Sequence, residues 1–158
     1  DATTTCMTIA RAATRRKVIL LAENAYHGSM PWCTPNQEGV VAGDRAHLLY
    51  YQYNNVESLL EAAERGKQDL AGIVVSAFKH DVRVDQEMPT LEFAKAARQL
   101  CDANEAALGI DESTSGVTLV DGGIGLDKVF VGSGFLENAK ICTSGGRNDT
   151  HGNRETYA

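Results

Sequence analysis

The chain has 158 residues, with 15 Lys+Arg against 21 Asp+Glu and a formal net charge of -6. That length accommodates one domain whose core hides about two-thirds of the unfolded surface, and the mildly acidic balance, with Arg15-Arg16-Lys17 as its one basic run, argues against a nucleic-acid or anionic-membrane partner. No apolar stretch approaches the roughly 20 residues that span a bilayer, no basic-then-apolar leader opens the sequence, and Cys6, Cys33, Cys101 and Cys142 form no CxxC pair, so neither a zinc site nor a disulfide framework is expected and a cytoplasmic setting is.

The apolar spacing predicts a first helix over Thr3 to Thr14, with Cys6, Ile9, Ala10 and Ala13 on one face and the Arg15-Arg16-Lys17 run at its C-terminal end, where cations suit the helix dipole. Lys17 to Ala22 reads as a buried strand. From Glu23 to Asp44 the breakers Gly28, Pro31, Pro35, Gly39 and Gly43 predict a loop. His47 to Gln52 is a second strand, and Asn54 with Glu57 three residues on makes a capping pair for a helix that Val56, Leu59, Leu60 and Ala63 continue and Gly66 ends.

Leu70 to Ser76 is continuously apolar, as expected of a strand covered on both faces of a parallel sheet. After a polar stretch from Lys79 to Glu87, Pro89-Thr90 opens a helix carrying Phe93, Ala97, Leu100 and Cys101 on one stripe, and Ala106 to Ile110 is a fourth strand ending in Asp111-Glu112. Lys128 to Val131 offers one further strand. The alternation of helix-period and strand-type segments predicts an α/β fold, a mostly parallel sheet with covering helices, over residues 1–143; the polar, glycine-rich residues 144–158 read as a disordered tail.

Open α/β sheets hold ligands beyond the C-terminal ends of their strands. Three groups fall there: Asn24-Ala-Tyr26-His27-Gly28, Ser76-Ala-Phe78-Lys79-His80-Asp81, and Asp111-Glu112 with Ser113 and Ser115. Each has a plain structural alternative: a packed loop aromatic for Tyr26-His27, a solvated loop for His80-Asp81, a strand-end acid for Asp111, and helix capping for Thr3 and Thr4. Cys33 and Cys142 have no neighbouring base in sequence, so a nucleophilic thiol is not expected.

The run from Lys17 to Gly28, which ends in Ala-Tyr-His-Gly, resembles the strand and ring-stacking loop of class III pyridoxal-phosphate (PLP) aminotransferases, a group that includes glutamate-1-semialdehyde aminomutase. Asn54 to Ala62 resembles that family's asparagine-then-helix element, and Leu91 to Asp102 with Ala106 to Glu112 resembles the helix and strand that deliver its Asp-Glu pair. His80-Asp81 and Asp85 to Pro89 look like a subgroup close to the aminomutases. The likeness runs in consistent order over about residues 1–125 and implies part of the fold type I large domain.

The resemblance implies PLP as cofactor, a small-molecule amino substrate and a homo-oligomer with its sites at subunit interfaces; composition already leaves no nucleic acid and no membrane as partners. It implies that Asp111 pairs with the pyridinium nitrogen, that Tyr26 stacks on the ring with His27 beside it, and that Thr3 continues a phosphate-binding turn whose glycine and serine would lie ahead of Asp1. Ser133 in Gly132-Ser133-Gly134-Phe135 matches a later phosphate turn.

One departure stands against these matches. The run Asp121 to Phe135 passes straight to that later turn, without the segment that carries the family's Schiff-base lysine, and downstream of Asp111 only Lys128 and Lys140 are lysines. The expectation is therefore an impaired, truncated aminotransferase or aminomutase, with no catalytic residue assigned. A non-catalytic interaction or remnant domain is the alternative, and a nucleotide-binding doubly wound domain resting on Asp121-Gly-Gly-Ile-Gly125 is a third.

Overall fold

The computed structural model describes residues 2–77, 79 and 87–111, together with the backbone of residues 143–144. Helix α1 (Ala2–Thr14) leads into β1 (Val18–Ala22); β2 (Leu48–Tyr51), α2 (Val56–Gly66), β3 (Leu70–Ser76), α3 (Leu91–Asn104), β4 (Ala107–Asp111) and β5 (Thr143–Ser144) follow, with short 3-10 turns at Ala42–Arg45 and Lys67–Asp69. The sheet runs in the order β2-β1-β3-β4-β5 with every neighbouring pair parallel. The expected α/β class and mostly parallel sheet are therefore present. The expected strand at Lys128 to Val131, the glycine turn at Asp121–Gly125 and residues 145–158 of the expected tail lie outside the described residues, whereas Ser144 pairs with Asp111 in β5.

Parallel strands need crossover connections, and here these leave the sheet on opposite faces. Met7 and Ala10 of α1 pack with Trp32 and Cys33 of the β1–β2 loop against Ile19, Leu21, Ala71 and Val74. On the other face Leu59 and Ala62 of α2 and Phe93, Ala97 and Cys101 of α3 pack against Leu20, Ile73, Val75, Leu108 and Ile110. All seven residues of β3 are buried, which explains its uninterrupted apolar run. Because β1 is followed by a connection on the α1 face and β2 by one on the α2 face, the strand order reverses between β1 and β3, and a crevice opens at their C-terminal ends.

Polar side chains close the joints. Arg15, just past α1, adopts the left-handed conformation (φ 57), and the guanidinium of Arg16 donates to the carbonyls of Leu70 and Asn104, stitching the start of β3 to the end of α3. The cationic run at the end of α1 thus ties neighbouring segments together besides facing the helix dipole. Thr90 caps α3, accepting from the Phe93 amide.

The helix cap of α2 differs from expectation. Asn55, not Asn54, is the N-cap and accepts from Ser58 N at 2.9 Å. Asn54 is in the left-handed region at φ 60, and its carboxamide is used across the chain: it donates to the Glu87 carboxylate and the Met88 carbonyl and accepts from Thr90 N. One asparagine side chain cannot serve both ends, so the cap falls one residue later.

Two expected outcomes test this packing. A Cβ at Gly72 would sit 2.9 Å from the Ala107 carbonyl oxygen on the neighbouring strand, a backbone atom with no room to retreat. Gly72→Ala is expected to lower stability by about 1–3 kcal/mol in urea unfolding; an unchanged midpoint would show that β3 and β4 separate freely. Burial first, then the nearby Asp102 carboxylate, pushes the Cys101 thiol up to about 12, against a partial opposing pull from Arg98. The folded thiol keeps its proton after the unfolded one has lost it, so stability is whole below the ordinary thiol range near 8.5 and falls by roughly 1.4 kcal/mol per pH unit above it. Cys101→Ala is expected to flatten that decline between pH 9 and 10, a window below the point where the buried Tyr51 and Tyr53, both raised by burial, add to it.

Candidate functional site

The residue pair at the centre of the site comes from two distant segments. Beyond β1 the chain turns at Asn24 (φ 59) and at Gly28, whose φ of 121 only glycine adopts readily. The intervening loop is anchored by His27 N to Cys33 O and by Glu23 N to Tyr51 O. This folds the His27 imidazole inward, to 1% side-chain exposure, where its Nδ1 lies 2.8 Å from Oδ2 of Asp111, the last residue of β4. Thr3, in the first turn of α1, brings its hydroxyl to 3.5 Å from the same oxygen.

A buried carboxylate is costly unless it is charge-paired or hydrogen-bonded. Two donors converging on Oδ2 meet that need, with His27 donating from Nδ1. The other ring nitrogen, Nε2, is buried and has no partner among the described residues. Such orphans are uncommon in folded proteins and cost about 1–3 kcal/mol.

His27 faces Asp111, and its neighbour Tyr26 faces outward, 53% exposed. The Tyr26 ring stands on a notch lined also by Glu23, Asn24, Tyr53, Ser76 and Lys79, with a volume of about 20 Å³, the space of one water molecule. Asp111 does not line the notch itself. It sits one strand over, in register with Ser76, and its carbonyl accepts from Ala77 N. Together the ends of β1, β3 and β4 therefore form an open wall rather than an enclosed pocket.

Of the residues singled out from sequence, the fold brings Thr3, His27 and Asp111 into contact and puts Tyr26 beside them. Ser133, His80, Asp81, Glu112, Ser113, Ser115, Cys142, Lys128 and Lys140 lie outside the described residues. Sequence reasoning missed Tyr53 and Arg45. Tyr53 packs on Phe93 with ring centroids 5.3 Å apart and donates to Ser76 O at 3.1 Å, which fixes the end of β3. Arg45 donates to the carbonyls of Pro31 and Thr34 and to the Tyr50 hydroxyl, bracing the loop behind His27. The two-residue spacing of Tyr51 and Tyr53 across the end of the second strand was the available signal for the first; none marked Arg45.

Cys6, Cys33 and Cys101 are buried thiols, none in a disulfide. Burial raises the Cys33 thiol, which donates to Met30 O, so it is not an activated nucleophile. Among the described residues no three His, Cys, Asp or Glu side chains cluster as a metal site, and no helix is long and apolar enough to cross a membrane.

The exposed Tyr26 and the buried His27–Asp111 couple occupy the strand ends where the resemblance put them, and comparison with known proteins bears on the family. No family model matches the chain. It is 46% identical over 116 residues to an aminopentol aminotransferase of Sphingopyxis macrogoltabida, covering 73% of this chain and 28% of that protein. It is 30% identical over 135 residues to a glutamate-1-semialdehyde 2,1-aminomutase of Neisseria meningitidis, covering 78% and 31%. The solved structure of the PLP-bound FumI protein from Sphingopyxis sp. MTA144 superposes with a TM-score of 0.69 at 46% identity, over 71% of this chain and 27% of that one. The chain thus spans under a third of the length of the relatives it matches, and over the span they share it belongs to the class III PLP-dependent aminotransferase family.

Proposed function

We propose that this chain forms the ring-holding wall of a PLP-dependent aminotransferase or aminomutase acting on an amino acid or amino aldehyde. The observation that carries the reading is the Tyr26, His27 and Asp111 arrangement at the C-terminal ends of β1 and β4. These residues fit the cofactor on their own chemistry. Asp111 is a buried acceptor already oriented by two donors, Tyr26 offers an uncovered aromatic face beside it, and His27 Nε2 is a buried polar atom for which the described chain supplies no partner.

When bound, the pyridoxal ring supplies an electron sink at the carbon bearing the substrate's amine. The protein's part is to keep that sink effective. The Asp111 carboxylate would hold a proton at the ring nitrogen, because a carboxylate in a poorly solvated place strongly favours a neighbouring N–H cation. His27 Nδ1–H fixes the carboxylate and spares it the cost of standing unpaired. Tyr26 would cover one ring face and keep water from it. Thr3, at the N-terminus of α1, lies where free backbone N–H groups favour an anion such as a phosphate.

The reading extends to a homo-oligomer, supported by the exposed Tyr26 ring and by a notch that forms only one side of a site. It also includes impaired turnover, supported by the run Asp121 to Phe135, which passes over the lysine segment of the family pattern. Without a positioned amine there is neither a covalent anchor for the cofactor nor a base for the substrate α-proton.

Titration of the full chain with PLP is expected to give a saturable absorbance change that Asp111→Ala abolishes; no binding at all would leave the non-catalytic interaction domain as the better account. Borohydride reduction of the loaded protein followed by peptide mapping is expected to label no single lysine stoichiometrically. Stoichiometric labelling together with amine turnover would sink the impaired reading. Independently of the cofactor, His27→Ala removes the main donor to a buried carboxylate and is expected to cost about 1.5–3 kcal/mol in urea unfolding.

A further inference from the structure

Trp32 is the chain's single tryptophan, and the fold buries it in the loop behind His27, in one cluster with Met7 and Ala10 of α1 and Leu21 of β1. An indole N–H can only donate, and a buried one needs an acceptor. Trp32 Nε1 donates to the Thr4 hydroxyl oxygen at 3.1 Å, in the first turn of α1.

The base of that contact is stiff. Cys33 N, Cys33 Sγ and Thr34 N all donate to Met30 O, and Arg45 donates to Pro31 O and Thr34 O. The turn over residues 30–34, from which the indole projects, is tied within itself and to the 3-10 turn ahead of β2. The next residue carries a second link, since Cys33 O accepts from His27 N at 3.3 Å.

These two links reach the two donors of Asp111. Thr4 adjoins Thr3, whose hydroxyl stands 3.5 Å from Asp111 Oδ2, and His27 Nδ1 lies 2.8 Å from the same oxygen. Successive helical residues point about 100° apart, so Thr3 on Asp111 and Thr4 on Trp32 grip the first turn from two directions. One contact would leave that turn able to rotate about the helix axis; two fix it. The far end of α1 is held separately, by Arg11 Nε donating to Lys17 O at 2.8 Å.

Resting on the functional reading above, we propose that Trp32 is a positioning residue: the Trp32-Cys33 dipeptide holds both donors of Asp111, Thr3 through the indole's bond to Thr4 and His27 through the Cys33 carbonyl, and so sets the carboxylate for the cofactor's ring nitrogen.

The test follows the His27 Nδ1–H resonance and its exchange with solvent by NMR in the full chain without PLP, and PLP affinity separately. Trp32→Phe keeps an aromatic ring and removes the N–H; Thr4→Val removes the acceptor at a half-buried position and keeps the result readable if Trp32→Phe folds poorly. Each is expected to speed His27 N–H exchange at least about tenfold, the double variant no further, while Thr4→Ser stays near wild type. The Ile73 amide in mid-β3, paired on both sides, is expected to change less than about threefold. PLP affinity is expected to fall about three- to tenfold in both single variants, as for one lost hydrogen bond. Unchanged His27 exchange, no protected His27 resonance in the wild type, additive single effects, or an equal acceleration at Ile73 each overturns the proposal. Unchanged PLP affinity in both variants overturns it as well. If the wild type binds no PLP, the functional reading fails separately, and the exchange data still decide whether Trp32 holds the pair.

Discussion

The contact between His27 and Asp111 is the constraint on which the rest of this site depends. It joins the loop after β1 to the last residue of β4, across the whole width of β3, and it does so at 2.8 Å with both side chains almost out of solvent. A carboxylate withdrawn from water is tolerated only with donors in place, and a buried imidazole only when at least one nitrogen is satisfied. Each group is therefore the condition for burying the other. The parallel registers make the meeting possible, since Ile19 to Ala22 lie beside Leu48 to Tyr51, and Ser76 beside Asp111, so the strands that matter end along one edge.

Around that contact Arg45, Arg16 and Asn54 each bind backbone carbonyls or amides of a neighbouring segment. Arg45 holds the loop that carries His27, Arg16 holds the opposite ends of β3 and α3, and Asn54 holds the segment bridging Glu87 to Lys79. The ion pair of Lys67 with Glu64 is exposed on both sides, and pairs of that kind contribute little. What keeps the site in shape is the satisfaction of loop backbone groups, which would otherwise cost free energy when covered. Loops held in this way can carry chemistry with strand-like precision.

Much of this was legible in the residues. The continuous run Leu70 to Ser76 announced a strand covered on both faces, and Thr90 after a proline announced a helix start, because both signals are local. Asn54 and Asn55 show where local signals stop. The capping pattern pointed to Asn54, but the cap falls on Asn55, because Asn54 is engaged by Glu87, Met88 and Thr90, which lie more than thirty residues on. The burial of His27 was equally invisible: a Tyr-His pair before glycine says nothing of which ring turns inward until Asp111 arrives from β4 to receive it. Motif order over the family's span suggested that Asp111 and the Tyr-His loop work together, but the hydrogen bond is a property of the fold.

A division of labour between the two sides of the crevice follows. The set at β1 and β4 involves groups that a heteroaromatic ring of any PLP enzyme could use: a buried carboxylate, its histidine support and an aromatic face. None of these discriminates one amine from another. The segment beyond β3 is different, since Lys79 lines the notch, which neither His27 nor Asp111 does. Relatives named for an aminopentol and for glutamate-1-semialdehyde share this chain's fold segment at 46% and 30% identity. On the functional reading proposed above, the buried pair and the notch are separate parts of one wall, so a change at the notch need not disturb the pair.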